Sequence, residues 1–362
     1  MTERIRVATR KGLFTIARRG GRWTADAPAF LGDPVTMVLD DARDGSLFAA
    51  LNLGHFGVKL RRSRDDGATW EELDPPAFPP QPEDATGAPW KLVQLWSLET
   101  GGANEPGVLW AGTIPGGLFR STDAGASWTL VRSLWDRPER HGWFGGGYDH
   151  PGIHSILVDP RDPRRLTLSI SCGGIWRTDD AGETWRLSAQ GMLARYMPPD
   201  QQGDENTQDP HRTVACPSAP DVMWTQHHSG IFRSTDGAAT WSEITTAPLS
   251  NFGFAVAVHP RDADTAWFVP GIKDEQRVPV DARLAVTRTR DGGRTFDVLR
   301  DGLPGTPCYD LVYRHGLAVD ATGERLAMGS TSGGLWVSEN GGDAWQAVDV
   351  RLPPIYAVRF AA

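Results

Sequence analysis

Cysteine is almost absent, with only Cys172, Cys216 and Cys308 in 362 residues. Three thiols cannot all pair, and their wide spacing forms no CxxC motif, so neither a disulfide framework nor a cysteine-built metal knuckle is expected and a reducing compartment fits. Long apolar runs are missing too. No stretch approaches the roughly 18 residues that a membrane span needs, and the opening MTERIRVATRKGLF lacks the apolar region of a secretory signal, so a cytoplasmic location is expected. Positive charge is in deficit: 37 Lys+Arg stand against 45 Asp+Glu, a net −8. That removes the attraction for phosphate backbones which supplies most non-specific nucleic-acid affinity, and neither nucleic acid nor membrane is an expected partner. Turn formers and indoles are plentiful instead: 41 Gly, 27 Pro and 15 Trp. Many glycines and prolines between short apolar runs indicate many short strands, hence an all-β chain.

An eight-residue pattern recurs six times, with Ser/Thr first, Asp/Asn third, Gly near the fifth place and an aromatic eighth. The copies are SRDDGATW (63–70), STDAGASW (121–128), TDDAGETW (178–185), STDGAATW (234–241), TRDGGRTF (289–296) and SENGGDAW (338–345). A degenerate seventh at 16–23 keeps Gly20 and Trp23. The aromatic positions are 47, 58, 57, 56, 55 and 49 residues apart, a period that suits one four-stranded sheet per repeat. Seven units predict a seven-bladed β-propeller. An apolar strand (GLFR, GIWR, GIFR, GLWV) runs into each copy, which reads as the hairpin between the third and fourth strands of a blade. The Asp accepts backbone N–H bonds across the turn and Gly supplies positive φ, so the repeated carboxylates are read as structural rather than catalytic.

These copies resemble Asp-box, or BNR, repeats, a family that includes sialidases, other glycosidases, sortilin-type receptors and a photosystem II assembly factor. The resemblance covers essentially the whole chain. It implies a propeller fold and either a glycosyl hydrolase-like activity or a non-catalytic binding and assembly scaffold. The sequence departs from sialidases in lacking their Arg-Ile-Pro motif and in a candidate site rich in His rather than Arg, so sialic acid is not the expected substrate.

One blade reads as strand A at 153–160, B at 165–171, C at 173–179 and D at 184–188. The first residues enter this order midway: IRVAT, GLFTIA and RWT supply strands B, C and D, and IYAVRFA at 355–361 supplies the missing strand A. Both ends therefore meet in one sheet, and a single domain over 1–362 is expected.

Ligand sites of propellers usually lie on the face where the D–A and B–C loops open. Three consecutive D–A loops, at 71–93, 129–153 and 186–210, are about a dozen residues longer than the others, and a long B–C loop spans 270–283. Long loops on a rigid scaffold are expected to wall a cleft. Seven of the nine histidines fall on that face: His55, His227 and His228 at B–C turns, His141 and His150 in a D–A loop, His154 and His211 at equivalent starts of strand A. Such imidazoles suit one divalent ion (Zn, Fe, Cu or Mn) held by His154, His211, His228 and His55, with Asp149, Asp204, Glu205 or Asp209 completing the shell. They equally suit acid–base work without metal, with His154, His211, Asp149, Glu205 and Tyr309 as the catalytic candidates. A glycosidase needs two carboxyl groups, for which Asp149 with Glu205 or Asp209 are the candidates. Arg10, Lys11, Gln94, His150, His227 and Lys273 would bind a polar saccharide or small anion, and Trp143 and Tyr148 in HGWFGGGYDHPGIH (141–154) would stack on a sugar ring. A protein partner gripped by the long loops is the alternative.

Overall fold

In the computed structural model, which describes residues 3–83, 85 and 89–361, nearly all regular structure is β, arranged as seven antiparallel sheets. The chain is a seven-bladed β-propeller. Blade 1 combines Ile355–Phe360 with Arg4–Thr9, Gly12–Arg19 and Arg22–Ala25. Blades 2, 3 and 4 begin with Val35–Asp41, Gln94–Thr100 and Ile153–Val158; blades 5, 6 and 7 begin with Pro210–Cys216, Gly253–His259 and Leu317–Val319. In blades 2 to 7 the four main strands pair in chain order, and in blade 1 the chain's last strand precedes its first three. The expected closure is present, since Ile5 pairs with Phe360 and Val7 with Val358. Among the described residues, no helix is long and apolar enough to cross a membrane.

Six eight-residue turns join the third and fourth strands, and their hydrogen bonds explain the recurring letters. In the turn at 178–185, Thr178 Oγ1 donates to Asp180 Oδ1 at 2.6 Å and accepts from the Gly182 N–H at 3.0 Å. The Thr184 N–H donates to Asp180 Oδ1 at 2.9 Å and Trp185 Nε1 donates to the Gly182 carbonyl at 3.1 Å. The bonds to the turn's third residue recur around Asp65, Asp123, Asp236, Asp291 and Asn340, and the indole bond recurs at Trp70. Hydroxyl and backbone donors hold Asp65, Asp180 and Asp291 down to a pKa of about 2. The carboxylate is committed to the turn, as the repetition implied.

The chain divides into two compact units, Thr36–Pro210 and Met1–Val35 with His211–Ala362. The first carries blades 2 to 4. Its core joins Trp110, Leu118, Ile153, Leu168, Trp176 and Trp185, so that the Trp of a turn covers the apolar face between two sheets. The second carries blades 5 to 7 and blade 1, with Trp267, Met328, Trp336 and Trp345 central to one apolar cluster. Within both units, first strands are stitched to first strands by side chains. Thr36 Oγ1 donates to the Leu95 carbonyl at 3.2 Å and Ser97 Oγ to the Ile153 carbonyl at 2.9 Å in the one; His211 Nδ1 donates to the Gly253 carbonyl at 2.6 Å in the other.

Candidate functional site

The glycine-rich run in the loop before blade 4 does something other than leave room for a ligand. A Cβ on Gly146 would lie 2.8 Å from Cys172 Sγ, 3.1 Å from Ser171 Oγ and 3.2 Å from Asp209 Oδ1. Glycine there lets the loop backbone close over the protein's own Asp209. Trp143 is correspondingly buried, edge-on to Trp176 at 5.8 Å and donating Nε1–H to Asn206 Oδ1 at 2.9 Å. It is a packing residue, not the expected sugar platform. Aromatic surface is supplied instead by Phe144, Tyr148 and Tyr196, which are 38%, 44% and 38% exposed. Phe144 meets Tyr196 at 6.4 Å and Tyr148 meets Trp96 at 5.1 Å.

Asp209 is 3% exposed and its Oδ1 accepts the Cys172 backbone N–H at 3.1 Å. Burial, and then the Asp209 carboxylate nearby, push the Tyr196 hydroxyl well above the usual phenol range. Asp149 is exposed three residues after Gly146, and chain reach alone keeps its Cα within about 10 Å of that glycine. Glu205 is engaged elsewhere, its Oε2 accepting the Ala189 N–H at 2.6 Å. That bond ties the two ends of the segment 189–205.

The histidines separate into three groups. His154 is fully buried, with Nδ1 3.0 Å from Ser155 Oγ and its ring edge-on to Trp96 at 5.3 Å. His55 is exposed on the short helix Gly54–Phe56, against Phe56. His227, expected to bind substrate, is buried in blade 5; its Nδ1 accepts the Ser229 N–H at 3.0 Å and its ring meets Phe232 at 5.3 Å. His228 lies in the turn after the strand Ala219–His227 and meets His211 at 5.4 Å. His211 lies stacked on Phe254 at 4.4 Å, with Phe252 edge-on at 5.8 Å.

Of the expected metal set, His154 is buried against Trp96 and His55 is exposed, while His211 and His228 lie in one unit with ring centres 5.4 Å apart.

Arg10, Lys11 and Lys273 are exposed, Lys273 pairing with Glu275 at 3.6 Å. Gln94 is buried at the start of blade 3, His150 is half-buried and Tyr309 is 67% exposed. The long B–C loop of blade 6 is a hairpin in which the strand Asp262–Lys273 returns as Gln276–Pro279. It delivers Arg277, not Lys273, to the aromatic cluster: the guanidinium lies 5.3 Å from the Phe254 ring and pairs with Asp274 at 2.5 Å. Phe144 was expected to stack on a sugar ring with Trp143 and Tyr148, whereas Arg277 and Tyr196 were missed because neither periodicity nor turn chemistry marks them. The loop between blades 2 and 3 bounds a cavity of about 560 Å³ lined by Val58, residues 74–78 and residues 90–92; residues 84 and 86–88 of that loop lie outside the described residues.

No family model matches the chain. A xyloglucanase from Paenibacillus sp is 25% identical over 311 residues, which span 75% of this chain and 28% of that protein. The chain thus corresponds to under a third of that curated relative. Among solved structures, the GH74 xyloglucanase from Xanthomonas campestris aligns with a TM-score of 0.67 and 19% identity, over 96% of this chain and 53% of that one. YCF48 bound to D1 peptide aligns with a TM-score of 0.52 and 16% identity, over 88% of this chain and 83% of that one. The chain is a seven-bladed β-propeller that resembles GH74 xyloglucanases and YCF48.

Proposed function

We propose that the protein is a glycosidase-type hydrolase acting on a saccharide chain, with its site where the glycine-rich loop 141–154 closes over Asp209. The observation that carries this reading is the grouping of exposed Phe144, Tyr148 and Tyr196 around the loop that covers a buried carboxylate. Aromatic faces bind pyranose rings through their apolar C–H surfaces, while a carboxylate in such surroundings acts on the glycosidic bond. Asp149 is the second carboxyl group: it is exposed, on the same loop, and able to exchange protons with solvent. In this reading Asp149 protonates the leaving oxygen as the glycosidic bond breaks, water adds to the sugar carbon and gives its proton to solvent, and Asp209, held by the Cys172 N–H, offsets the positive charge that develops on the sugar. The sequence similarity to a xyloglucanase supports a polysaccharide substrate. The hydrogen-bonded turns match the Asp-box pattern in their residues and support grouping with BNR-repeat glycosyl hydrolase-like propellers.

The test is reducing-end release from a panel of xyloglucan, β-glucan and uronide oligosaccharides. Asp149→Asn and Asp209→Asn are each expected to lower turnover at least about 100-fold. A correctly folded protein with no turnover on any member would overturn the proposal. It would favour a peptide-binding scaffold, a reading that the coverage of both this chain and YCF48 in their alignment supports.

A further inference from the structure

We infer that the cavity between blades 2 and 3 binds a neutral oligosaccharide, at a place separate from the loop 141–154. Its walls are continuations of strands. Asp74 follows Glu71–Leu73, the last strand of blade 2, whose Leu73 pairs with Leu60. Trp90 and Lys91 precede Gln94–Thr100, the first strand of blade 3. Val93, just before that strand, is fastened at both backbone groups: its N–H donates to the Ile114 carbonyl at 2.8 Å and its carbonyl accepts from Asn52 Nδ2 at 3.1 Å. The volume of about 560 Å³ falls within the roughly 300–1,000 Å³ common for small-molecule sites.

Phe78 and Trp90 give the cavity two aromatic rings, and both pack on the buried Trp135, Phe78 tilted to it at 4.8 Å and Trp90 edge-on at 5.3 Å. Gly117 makes room for this seat, since a Cβ there would lie 2.7 Å from Phe78 Cε1. The backbone N–H of Trp90 donates to Gln81 Oε1 at 3.1 Å, but its indole N–H is buried with no acceptor among the described residues. Such a donor is costly to leave unmade, and a hydroxyl oxygen of an occupant supplies the acceptor after a small rotation of the half-buried indole. Aromatic walls with an orphaned donor suit a pyranose, which is apolar across its C–H faces and rich in oxygen at its rim. Asp74 and Lys91, both exposed on the wall, make no ion pair among the described residues. A charged occupant would be drawn by one and repelled by the other, whereas a neutral polyol donates to the carboxylate and accepts from the ammonium.

This inference takes its saccharide class from the hydrolase reading, but it is read without turnover. The full chain, labelled with nitrogen-15, is titrated with cellotetraose while its indole N–H resonances are followed; the one missing from Trp90→Phe belongs to Trp90. That resonance should move downfield as its proton gains an acceptor. By calorimetry, Trp90→Ala should weaken binding by about 10-fold or more and Lys91→Met by about threefold. Tyr148→Ala, in the other loop, should leave the Trp90 shift as in wild type. Should Trp90→Ala fail to fold, Lys91→Met at the surface carries the test, with the Trp90 resonance as reporter. A Trp90 resonance unmoved at millimolar sugar, wild-type affinity in the variants, or tighter binding of trigalacturonate than of cellotetraose overturns the inference. A Trp90 shift in a protein that cleaves no member of the saccharide panel upholds it and sinks the hydrolase reading; turnover with an unmoved Trp90 resonance does the reverse.

Discussion

Gly146 and Gly147 are adjacent in the chain, yet alanine should act on them by different physics. At Gly146 a Cβ would meet Cys172 Sγ at 2.8 Å, about 0.7–1.2 Å closer than an ordinary contact of 3.5–4.0 Å. The loop or the cysteine must move by most of that distance, and overpacking of this kind costs about 1–3 kcal/mol. With an unfolding entropy of roughly 2.1 cal/mol/K per residue, a chain of this length loses about 1–4 °C in melting temperature. The functional loss should be larger. Cys172 carries the N–H that orients Asp209, and misplacement by about 1 Å costs on the order of 100-fold in rate. Gly147 has a φ of +94° and nothing within 4 Å of its would-be Cβ. Alanine there bears backbone strain alone, about 1–2 kcal/mol, with no push on Asp209. Melting curves and saccharide turnover of Gly146→Ala and Gly147→Ala separate the two effects. If Gly146→Ala melts with wild type, the packing argument is wrong whatever its activity; if both lose turnover equally, the loop acts through flexibility rather than through Cys172.

Two further outcomes follow from the polar network. Asp65, Asp180 and Asp291 have folded pKa values of about 2, below the unfolded value near 3.9, so their contribution is complete above about pH 4 and fades as pH falls towards 2. The melting temperature of wild type should therefore fall more steeply between pH 4 and 2 than that of the triple Asp→Asn variant; parallel slopes would refute the assignment. The neighbouring histidines should divide their roles: His227→Gln loses a buried acceptor and about 1–2 kcal/mol of stability, seen as a lower denaturant midpoint, while His228→Gln keeps the wild-type midpoint.

Much of the fold was legible because its information is local. Thr178, Asp180, Gly182 and Trp185 complete one turn among themselves, so their spacing survives in the sequence without knowledge of any distant partner. The closing strand at 355–360 was readable for a related reason: the first blade lacked one of four expected apolar runs and the chain ended with a spare one. The site was legible only in part. The repeat placed His211 at a strand start, but it could not choose between His227 and His228, where a shift of one residue reverses the face. Trp143 misled because a glycine-rich loop with aromatics looks alike whether it approaches a ligand or its own scaffold. Lys273 misled because the hairpin reverses between it and Arg277, and only the returning strand reaches Phe254.

The cross-blade stitch at His211 does more than its counterparts. Thr36 and Ser97 fasten neighbouring first strands with hydroxyls alone, whereas the imidazole at 211 also stacks on Phe254. One ring thus serves as tie and as packing surface, and alanine at this position would remove both at once.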